Sequence, residues 1–181
     1  MPRIAPVDLA TADTGVQATL AAVKAKIGMV PNLFSTFAQS PAVLNAYLAL
    51  SDGLATGKLT AKQREIVALA VAQANGCAYC LSAHTMMGKG AGLSADAITA
   101  ARHGKGADAI DHAIAKLAYD LIEARGQISD AQLAAARLAG LDDARIVEIV
   151  AAVALNTMTN FMNNVAHTDI DFPKVDLALA A

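Results

Sequence analysis

Both cysteines of the 181-residue chain lie in one short stretch, Cys77-Ala78-Tyr79-Cys80-Leu81-Ser82-Ala83-His84. Asn75 and Gly76 stand directly before it and end a strongly helical run. If a new helix opens at residue 77, then Cys77, Cys80 and His84 share one face, because residues three and four apart are neighbours on a helix surface. This spacing predicts dithiol chemistry, and the rest of the chain is interpreted as its support.

Composition restricts the classes of function. Hydrophobic residues make up 55% of the chain and charged residues 17%, against ~25% in an average soluble domain. The formal net charge is −2 and no basic run occurs, so neither nucleic acid nor an anionic membrane is expected as a partner. A low charged fraction leaves helices with little polar face, and sister subunits are therefore expected to cover part of the surface.

The sequence also predicts where in the cell the protein is found. Residues 1–8 lack the apolar core of a signal peptide, and the longest apolar stretches are too short to span a membrane. These features predict a soluble cytoplasmic protein with no membrane partner. Because the cytoplasm keeps thiols reduced, the cysteine pair is interpreted as a cycling disulfide and not as a structural one.

Helix signals recur along the whole chain. Two capping boxes are present, Thr60 with Gln63 and Ser129 with Gln132, and no segment alternates apolar and polar residues as a strand does. We therefore predict an all-α helical bundle, a single domain over residues 1–181 with arms at 1–12 and 167–181. Helices are predicted over about 14–27, 31–37, 41–56, 61–74, 77–87, 95–103, 108–125, 130–140 and 143–165.

Local signals add detail to the third and fifth of these helices. Ser40 and Pro41 predict an N-cap followed by a first-turn proline. Gly88, followed by two further glycines, is predicted to end the fifth helix at Met87. The buried side of the third helix is predicted to comprise Val43, Leu44, Tyr47, Leu48 and Leu50.

The cysteine stretch has the features of a reactive dithiol. A thiol reacts as its thiolate, and free cysteine has a pKa near ~8.5 that the amides and dipole of a helix start lower. The second cysteine then resolves the sulfenic acid or mixed disulfide that the first one forms. His84 can accept and return a proton, and Glu65, on the preceding helix, is placed to orient that imidazole.

Structural explanations compete with this interpretation. The two cysteines could be ordinary core residues, His84 a satisfied buried histidine, and Glu65 a surface acid near a helix start. A zinc site is the main chemical rival, because Cys77, Cys80 and His84 have ligand-like spacing. Structural zinc requires a fourth ligand, however, and the other histidines are isolated and interpreted as surface or packing residues: His103, His112 and His167.

The spacing of the four candidate residues resembles that of a known family. Glu65, eleven residues, Cys77, two residues, Cys80, three residues and His84 resemble the AhpD-like alkylhydroperoxidase core of the carboxymuconolactone decarboxylase superfamily. Two flanking stretches resemble its peroxidase-related branch, Val30–Phe34 and Asn156–Ala166. The resemblance implies an all-helical homo-oligomer, a dimer, trimer or hexamer, that reduces organic hydroperoxides or peroxide.

The resemblance also implies individual roles. Cys80 would be the peroxidatic thiol and Cys77 the more accessible resolving thiol, with Glu65 and His84 as the proton relay. The implied reductant is a dithiol, such as a lipoyl group on a carrier protein, and not a flavin or metal within the subunit. AhpD proteins have a second histidine where this chain has Tyr79, so the relay here is expected to be shorter or to use water.

The leading prediction from the sequence is a thiol-dependent peroxidase without a bound cofactor. Lactone decarboxylation is not expected, because decarboxylase members of the superfamily lack the cysteine pair. The alternatives are a thiol–disulfide oxidoreductase without peroxidase activity, or an oligomeric scaffold with a zinc-bound or inert cysteine pair. Five large apolar residues are candidates for an access pocket, although core packing is the favoured interpretation of each: Phe34, Phe37, Met86, Met87 and Phe161.

Overall fold

The computed structural model describes residues 1–178, and within this range the chain forms nine α-helices and no β-strand, which confirms the all-α prediction. Residues 179–181 of the predicted C-terminal arm lie outside the described residues. The helices are α1 (Thr14–Ile27), α2 (Asn32–Phe37), α3 (Pro41–Ala55), α4 (Ala61–Ala74), α5 (Ala78–Gly90), α6 (Ala95–Arg102), α7 (Ala109–Glu123), α8 (Asp130–Leu138) and α9 (Asp143–Ala166).

Side-chain caps fix most helix starts. Both predicted capping boxes form, and in the first the Thr60 hydroxyl accepts from the Gln63 amide at 3.2 Å while Gln63 Oε1 accepts from the Thr60 amide at 3.1 Å. Ser40 is different, because its side chain makes no capping hydrogen bond at the start of α3. The helix there depends on Pro41 and on its packing.

Helix α5 runs one turn further than predicted. It continues through Gly88 and ends at Gly90, so Gly88 is not its stop signal. A Cβ atom on Gly88 would meet Leu93 Cδ1 at 3.1 Å and Leu69 Cδ1 at 3.7 Å. The glycine therefore leaves room for the Leu93 side chain, and this use of glycine cannot be told from a helix stop in the sequence.

Helix α4 lies at the centre of one continuous hydrophobic core. Every residue from Ile66 to Ala72 is buried, and α5, α6, α7 and α9 pack around the helix. The continuous core is in keeping with the predicted single domain, which stays a prediction. On α3 the prediction for Leu50 is wrong, because Leu50 is 42% exposed and lies outside the stripe that contains Val43, Leu44, Tyr47 and Leu48.

Helix α9 is the longest helix of the described chain, with 24 residues. Among residues 1–178 it alone is long and apolar enough, by length and composition, to cross a membrane. In this fold it packs against α2, α3, α4, α5 and α7, and its buried side contains amide and hydroxyl groups as well as apolar ones. That arrangement is typical of a core helix in a soluble protein.

Both arms lie on the helical body. In the N-terminal arm, the amide of Val7 donates to the Ser35 carbonyl at 2.9 Å. The C-terminal arm crosses α5, where the amide of Val175 donates to the Ser82 hydroxyl at 3.0 Å and the Phe172 ring packs edge-on against Tyr79. The second arm therefore passes directly beside the cysteine stretch.

Candidate active site

A tight corner between α4 and α5 brings the candidate residues together. Gly76 adopts a left-handed conformation with φ of 61°, which glycine accepts without steric cost. The amide of Cys77 then donates back to the Ala72 carbonyl at 2.9 Å, and α5 begins at Ala78 with Cys77 as its N-cap residue. The two helices consequently pack side by side, with the cysteines at the corner.

The two cysteines are adjacent, reduced and buried. The Cys77 sulfur accepts a hydrogen bond from the Cys80 amide at 3.3 Å, in the position that a capping oxygen usually takes. Cys77 is 0% exposed and Cys80 is 2% exposed. Both thiols are therefore enclosed in this structure, and the expectation that Cys77 is the more accessible of the two stays a prediction.

Glu65 and His84 form a contact across the α4–α5 interface. His84 Nδ1 lies 2.9 Å from Glu65 Oε2, and both side chains are 18% exposed. The carboxylate fixes the orientation of the ring and occupies Nδ1, so Nε2 is the nitrogen that remains for proton exchange. The predicted proximity of these two residues is confirmed, whereas their role in a relay is a proposal.

The surroundings make the two thiols electrostatically different. The pKa of Cys80 is lowered to about 6, chiefly by a hydrogen bond from the Cys77 thiol, which outweighs burial and is helped by the charge of His84 and by amide groups of α9. The same contact with Cys80, together with burial, raises the pKa of Cys77. Cys80 is therefore the thiolate at neutral pH and Cys77 the protonated partner.

His84 is suited to be the counter-ion of that thiolate. Burial lowers the pKa of His84, but the charge of Glu65, its hydrogen bond and the nearby Cys80 together outweigh burial and raise the pKa overall. The imidazolium is thus favoured beside two anionic groups. The protonated imidazole is consequently held four residues along α5 from the reactive sulfur, one helical turn away.

Helix α9 supplies contacts to Cys80 that the sequence analysis did not identify. Asn163 Nδ2 donates to the Cys80 sulfur at 3.2 Å, and the Thr159 hydroxyl lies 4.0 Å from it. Asn160 contributes less, because its amide nitrogen makes no hydrogen bond of its own. A signal was present in the sequence, since four polar residues repeat at helical spacing in an apolar helix: Asn156, Thr159, Asn160 and Asn163.

An apolar cavity of about 330 Å³ opens onto Cys80 and His84. Cys77 is not among its lining residues. Three of the five pocket candidates from the sequence line it, whereas Phe37 lies in the core and Phe161 is exposed on α9. The main apolar residues around the cavity come from five parts of the fold and are Val23, Ile27, Leu33, Phe34, Tyr47, Leu48, Met86, Met87 and Phe172.

The geometry of the described residues also bears on the zinc alternative. Across residues 1–178, no group of three or more histidine, cysteine, aspartate and glutamate side chains is arranged to hold a metal ion. His84 Nδ1 faces Glu65, and the three other histidines are exposed. A zinc ion at Cys77 and Cys80 would have to draw its remaining ligands from elsewhere.

Comparison with known proteins places this site in a family. Residues 41–119, which include Glu65, Cys77, Cys80 and His84, match the model of the Carboxymuconolactone decarboxylase family. A crystal structure of an AhpD-core, peroxidase-related protein from Ralstonia eutropha JMP134 is 26% identical, with a TM-score of 0.84 over 94% of this chain and 92% of that one. Residues 41–119 therefore match the Carboxymuconolactone decarboxylase family, and the chain as a whole is similar to AhpD-core proteins.

Other AhpD-like structures extend the comparison. A peroxidase-related protein from Silicibacter sp. TM1040 is 25% identical, with a TM-score of 0.79 over 92% of this chain and 91% of that one. A debrominase, solved with 2,3,4-tribromopyrrole, is 16% identical, with a TM-score of 0.78 over 93% and 91%. At that identity the debrominase shows the fold alone. No curated protein matches the sequence.

Tyr79 marks the departure of this chain from the AhpD pattern. Its hydroxyl accepts a hydrogen bond from the Leu33 amide at 3.2 Å, and its ring stacks edge-on against Phe172. The side chain therefore joins α2 and the C-terminal arm to α5 and takes no position between the two thiols. In this AhpD-like chain, Asn163 is the additional polar group that reaches the Cys80 sulfur.

Proposed function

We propose that the protein is a thiol-dependent peroxidase that reduces apolar organic hydroperoxides through Cys80 and Cys77. One observation carries the proposal: the sulfur favoured as a thiolate is also the sulfur that meets an apolar cavity, next to an imidazole held by Glu65. The AhpD-like peroxidase-related relatives support the same class of chemistry. The partners proposed are a hydroperoxide and a dithiol reductant; a cytoplasmic location stays a prediction.

The proposed reaction has two steps before reduction. The Cys80 thiolate attacks the terminal oxygen of the hydroperoxide, the O–O bond breaks, and the departing alkoxide takes a proton from His84 to leave as an alcohol. The Cys77 thiol then attacks the sulfenic acid on Cys80, so that the disulfide forms and water leaves. The proton of Cys77 ends on that water, with neutral His84 as the carrier.

Turnover with cumene hydroperoxide tests the proposal. Reduced protein should convert one equivalent to the alcohol while both thiols disappear, and this apolar peroxide should react faster than hydrogen peroxide because the cavity wall is largely apolar. A protein that leaves the hydroperoxide intact and keeps both thiols free contradicts the proposal. A parallel assay with a model disulfide tests the thiol–disulfide oxidoreductase alternative. Zinc analysis with thiol titration tests the scaffold alternative, in which the cysteine pair binds zinc or is inert.

Replacing His84 by alanine should move the reactivity of Cys80 to higher pH. In the parent protein the alkylation rate should rise through pH 6, where Cys80 deprotonates, and level off near neutrality. Loss of the imidazolium destabilises the thiolate, so alkylation at pH 6.5 should be about tenfold slower. Iodoacetamide rates and thiolate absorbance, followed against pH, measure the shift.

Two further variants make the His84 experiment specific. Glu65→Gln keeps the His84 ring in place but removes the charge that favours the imidazolium. The pH profile of Cys80 alkylation should therefore also move to higher pH, but by less than in His84→Ala. His103→Ala removes an exposed histidine and should leave the profile unchanged. Superimposable profiles for the parent and His84→Ala would remove His84 from the mechanism.

We also propose that a second copy of the chain covers the outer face of α9, as the low charge content predicted. Residues 149–166 contain no charged side chain, so two copies can meet there without repulsion. Phe161, at the middle of the exposed face, is 57% exposed. The face continues along the helix through Val147, Val150, Met158 and Val165.

Phe161→Lys should therefore shift the protein toward monomers in analytical ultracentrifugation. In a contact between two copies, each copy would bring one lysine ammonium into the apolar α9 face of the other. Removing these charges from water disfavours association. Leu138→Lys is the matched control, because Leu138 is also exposed but lies on α8, away from this face. An assembly unchanged by Phe161→Lys would show that copies meet elsewhere.

A further inference from the structure

Half of the methionines in the chain line the apolar cavity that contains Cys80. The chain has six methionines, and Met29, Met86 and Met87 are part of the cavity wall. Met86 is 42% exposed and Met87 is 40% exposed, whereas Cys80 in the same wall is 2% exposed. The two methionines of α5 therefore lie at the mouth of the cavity, and the Cys80 sulfur lies at its inner end.

The register of α5 places Met87 in line with the reacting groups. Cys80, His84 and Met87 are spaced four and three residues apart, so they form one row along the helix. The distance along the helix axis from Cys80 to Met87 is about 10 Å. Met86 stands beside this row and lines the same cavity. A molecule that enters the mouth and reaches Cys80 therefore passes the two thioethers.

Thioethers and thiolates react with the same oxygen of a hydroperoxide. The thiolate is the stronger nucleophile, so Cys80 reacts first in the reduced protein. Once Cys77 and Cys80 are joined in a disulfide, no free thiol is left, because the chain contains two cysteines. A methionine sulfur needs no deprotonation and stays reactive at neutral pH. Met86 and Met87 are then the exposed sulfur-containing side chains that the cavity presents to the next hydroperoxide.

We propose that Met86 and Met87 form a second oxidation site, at which a hydroperoxide in the apolar cavity converts the thioethers to sulfoxides once the cysteine pair is oxidised. The methionine sulfur takes the terminal oxygen, and the O–O bond breaks. The proton of that oxygen moves to the departing alkoxide, which leaves as an alcohol. Each methionine thus gives two electrons to one hydroperoxide. The inference rests on the proposed function for the nature of the molecule in the cavity.

Oxidation at this site changes the polarity of the cavity mouth. Methionine sulfoxide has a polar S–O group in place of an apolar thioether. An apolar group that binds beside this oxygen takes it out of water, so apolar hydroperoxides are disfavoured more than hydrogen peroxide. The site therefore restricts entry when the disulfide form accumulates faster than it is reduced. Methionine sulfoxide reductases reverse the modification, so the restriction is reversible.

Preparations without free thiols separate this site from the peroxidase reaction. One is Cys77→Ser/Cys80→Ser, and the other is the parent protein with its disulfide formed by diamide. Each is treated with cumene hydroperoxide or with hydrogen peroxide, and peptide mass spectrometry gives the rate of sulfoxide formation at every methionine. Dividing the cumene hydroperoxide rate by the hydrogen peroxide rate cancels differences in exposure. Met158 is the matched control, because it is 37% exposed but lies on α9 outside the cavity.

The ratio of the two rates should be at least about fivefold higher at Met86 and Met87 than at Met158, because the cavity concentrates the apolar peroxide. After reduction of the disulfide with dithiothreitol, the oxidised parent should consume cumene hydroperoxide about fivefold more slowly, with hydrogen peroxide changed by less than about twofold. The same treatment of Met86→Leu/Met87→Leu should cause no slowing. Equal ratios at the three methionines, or sulfoxides without slowing, would overturn the inference. Raised ratios in a protein whose thiols do not react with hydroperoxide would support this site and contradict only the peroxidase proposal.

Discussion

Cys80→Ser should abolish hydroperoxide reduction, with a loss of several orders of magnitude in kcat/KM. Serine has nearly the same shape, but its hydroxyl does not ionise at neutral pH and is a far weaker nucleophile toward the O–O bond. All the surrounding groups remain in place, including Asn163 and the His84–Glu65 pair. The measurement is stopped-flow consumption of cumene hydroperoxide, with circular dichroism to establish that the variant is folded.

Cys77→Ser should behave differently and is the matched control. Cys80 can still attack once, so one equivalent of hydroperoxide should be consumed per chain before turnover stalls at a sulfenic acid that dimedone traps. The serine hydroxyl can still donate to the Cys80 sulfur, so the pKa of Cys80 should stay low and the single turnover should remain fast at neutral pH. Equal loss of the first turnover in both variants would contradict the assignment of roles.

The helical framework could be predicted because its signals are local. The capping boxes at Thr60 and Ser129 involve residues three apart, and both formed as predicted. Leu50 and Gly88 show the limit of local signals. The exposed side of α3 and the packing of Leu93 against Gly88 depend on contacts between different segments, which one helix considered alone does not specify.

The candidate site, like the helical framework, could be predicted only where its contacts join neighbouring parts of the chain. Glu65 and His84 lie on consecutive helices joined by the turn at Gly76, so chain connectivity alone brings them near each other. The contact between Cys80 and Asn163 joins residues 83 positions apart, and no local signal pairs them. Burial of both cysteines likewise results from the surrounding fold, which the sequence near them does not specify.

These contacts assign the groups of the site to different parts of the chain. The α4–α5 corner supplies the sulfurs and the proton, which are the reacting groups. Helix α9 supplies Asn163 and Thr159, which contact the Cys80 sulfur, and the C-terminal arm places Phe172 in the wall of the apolar cavity. Substitutions in α9 can therefore change the pKa of Cys80 while the reacting groups at the α4–α5 corner stay in place.

Asn163→Asp should have the second-largest effect, because it converts the donor nearest to the Cys80 sulfur into an anion of the same shape. The hydrogen bond at 3.2 Å is lost, and a buried negative charge is placed beside the thiolate. Both changes raise the pKa of Cys80. Hydrogen bonds to charged groups contribute roughly 1.5–3 kcal/mol, so alkylation and single-turnover oxidation at pH 7 should fall by about ten- to a hundredfold.

The neighbouring residue provides the control for this substitution. Asn164→Asp adds the same charge one position along α9, but its side chain is exposed and bonds the Asn75 carbonyl instead of the sulfur. Its profile of alkylation rate against pH should stay close to that of the parent. The Asn163→Asp profile should move to higher pH and recover its plateau there, because the thiolate still forms once the solution is basic enough. A uniform loss at all pH values would instead indicate damage to the fold, and an unchanged profile would mean that Asn163 does not stabilise the thiolate.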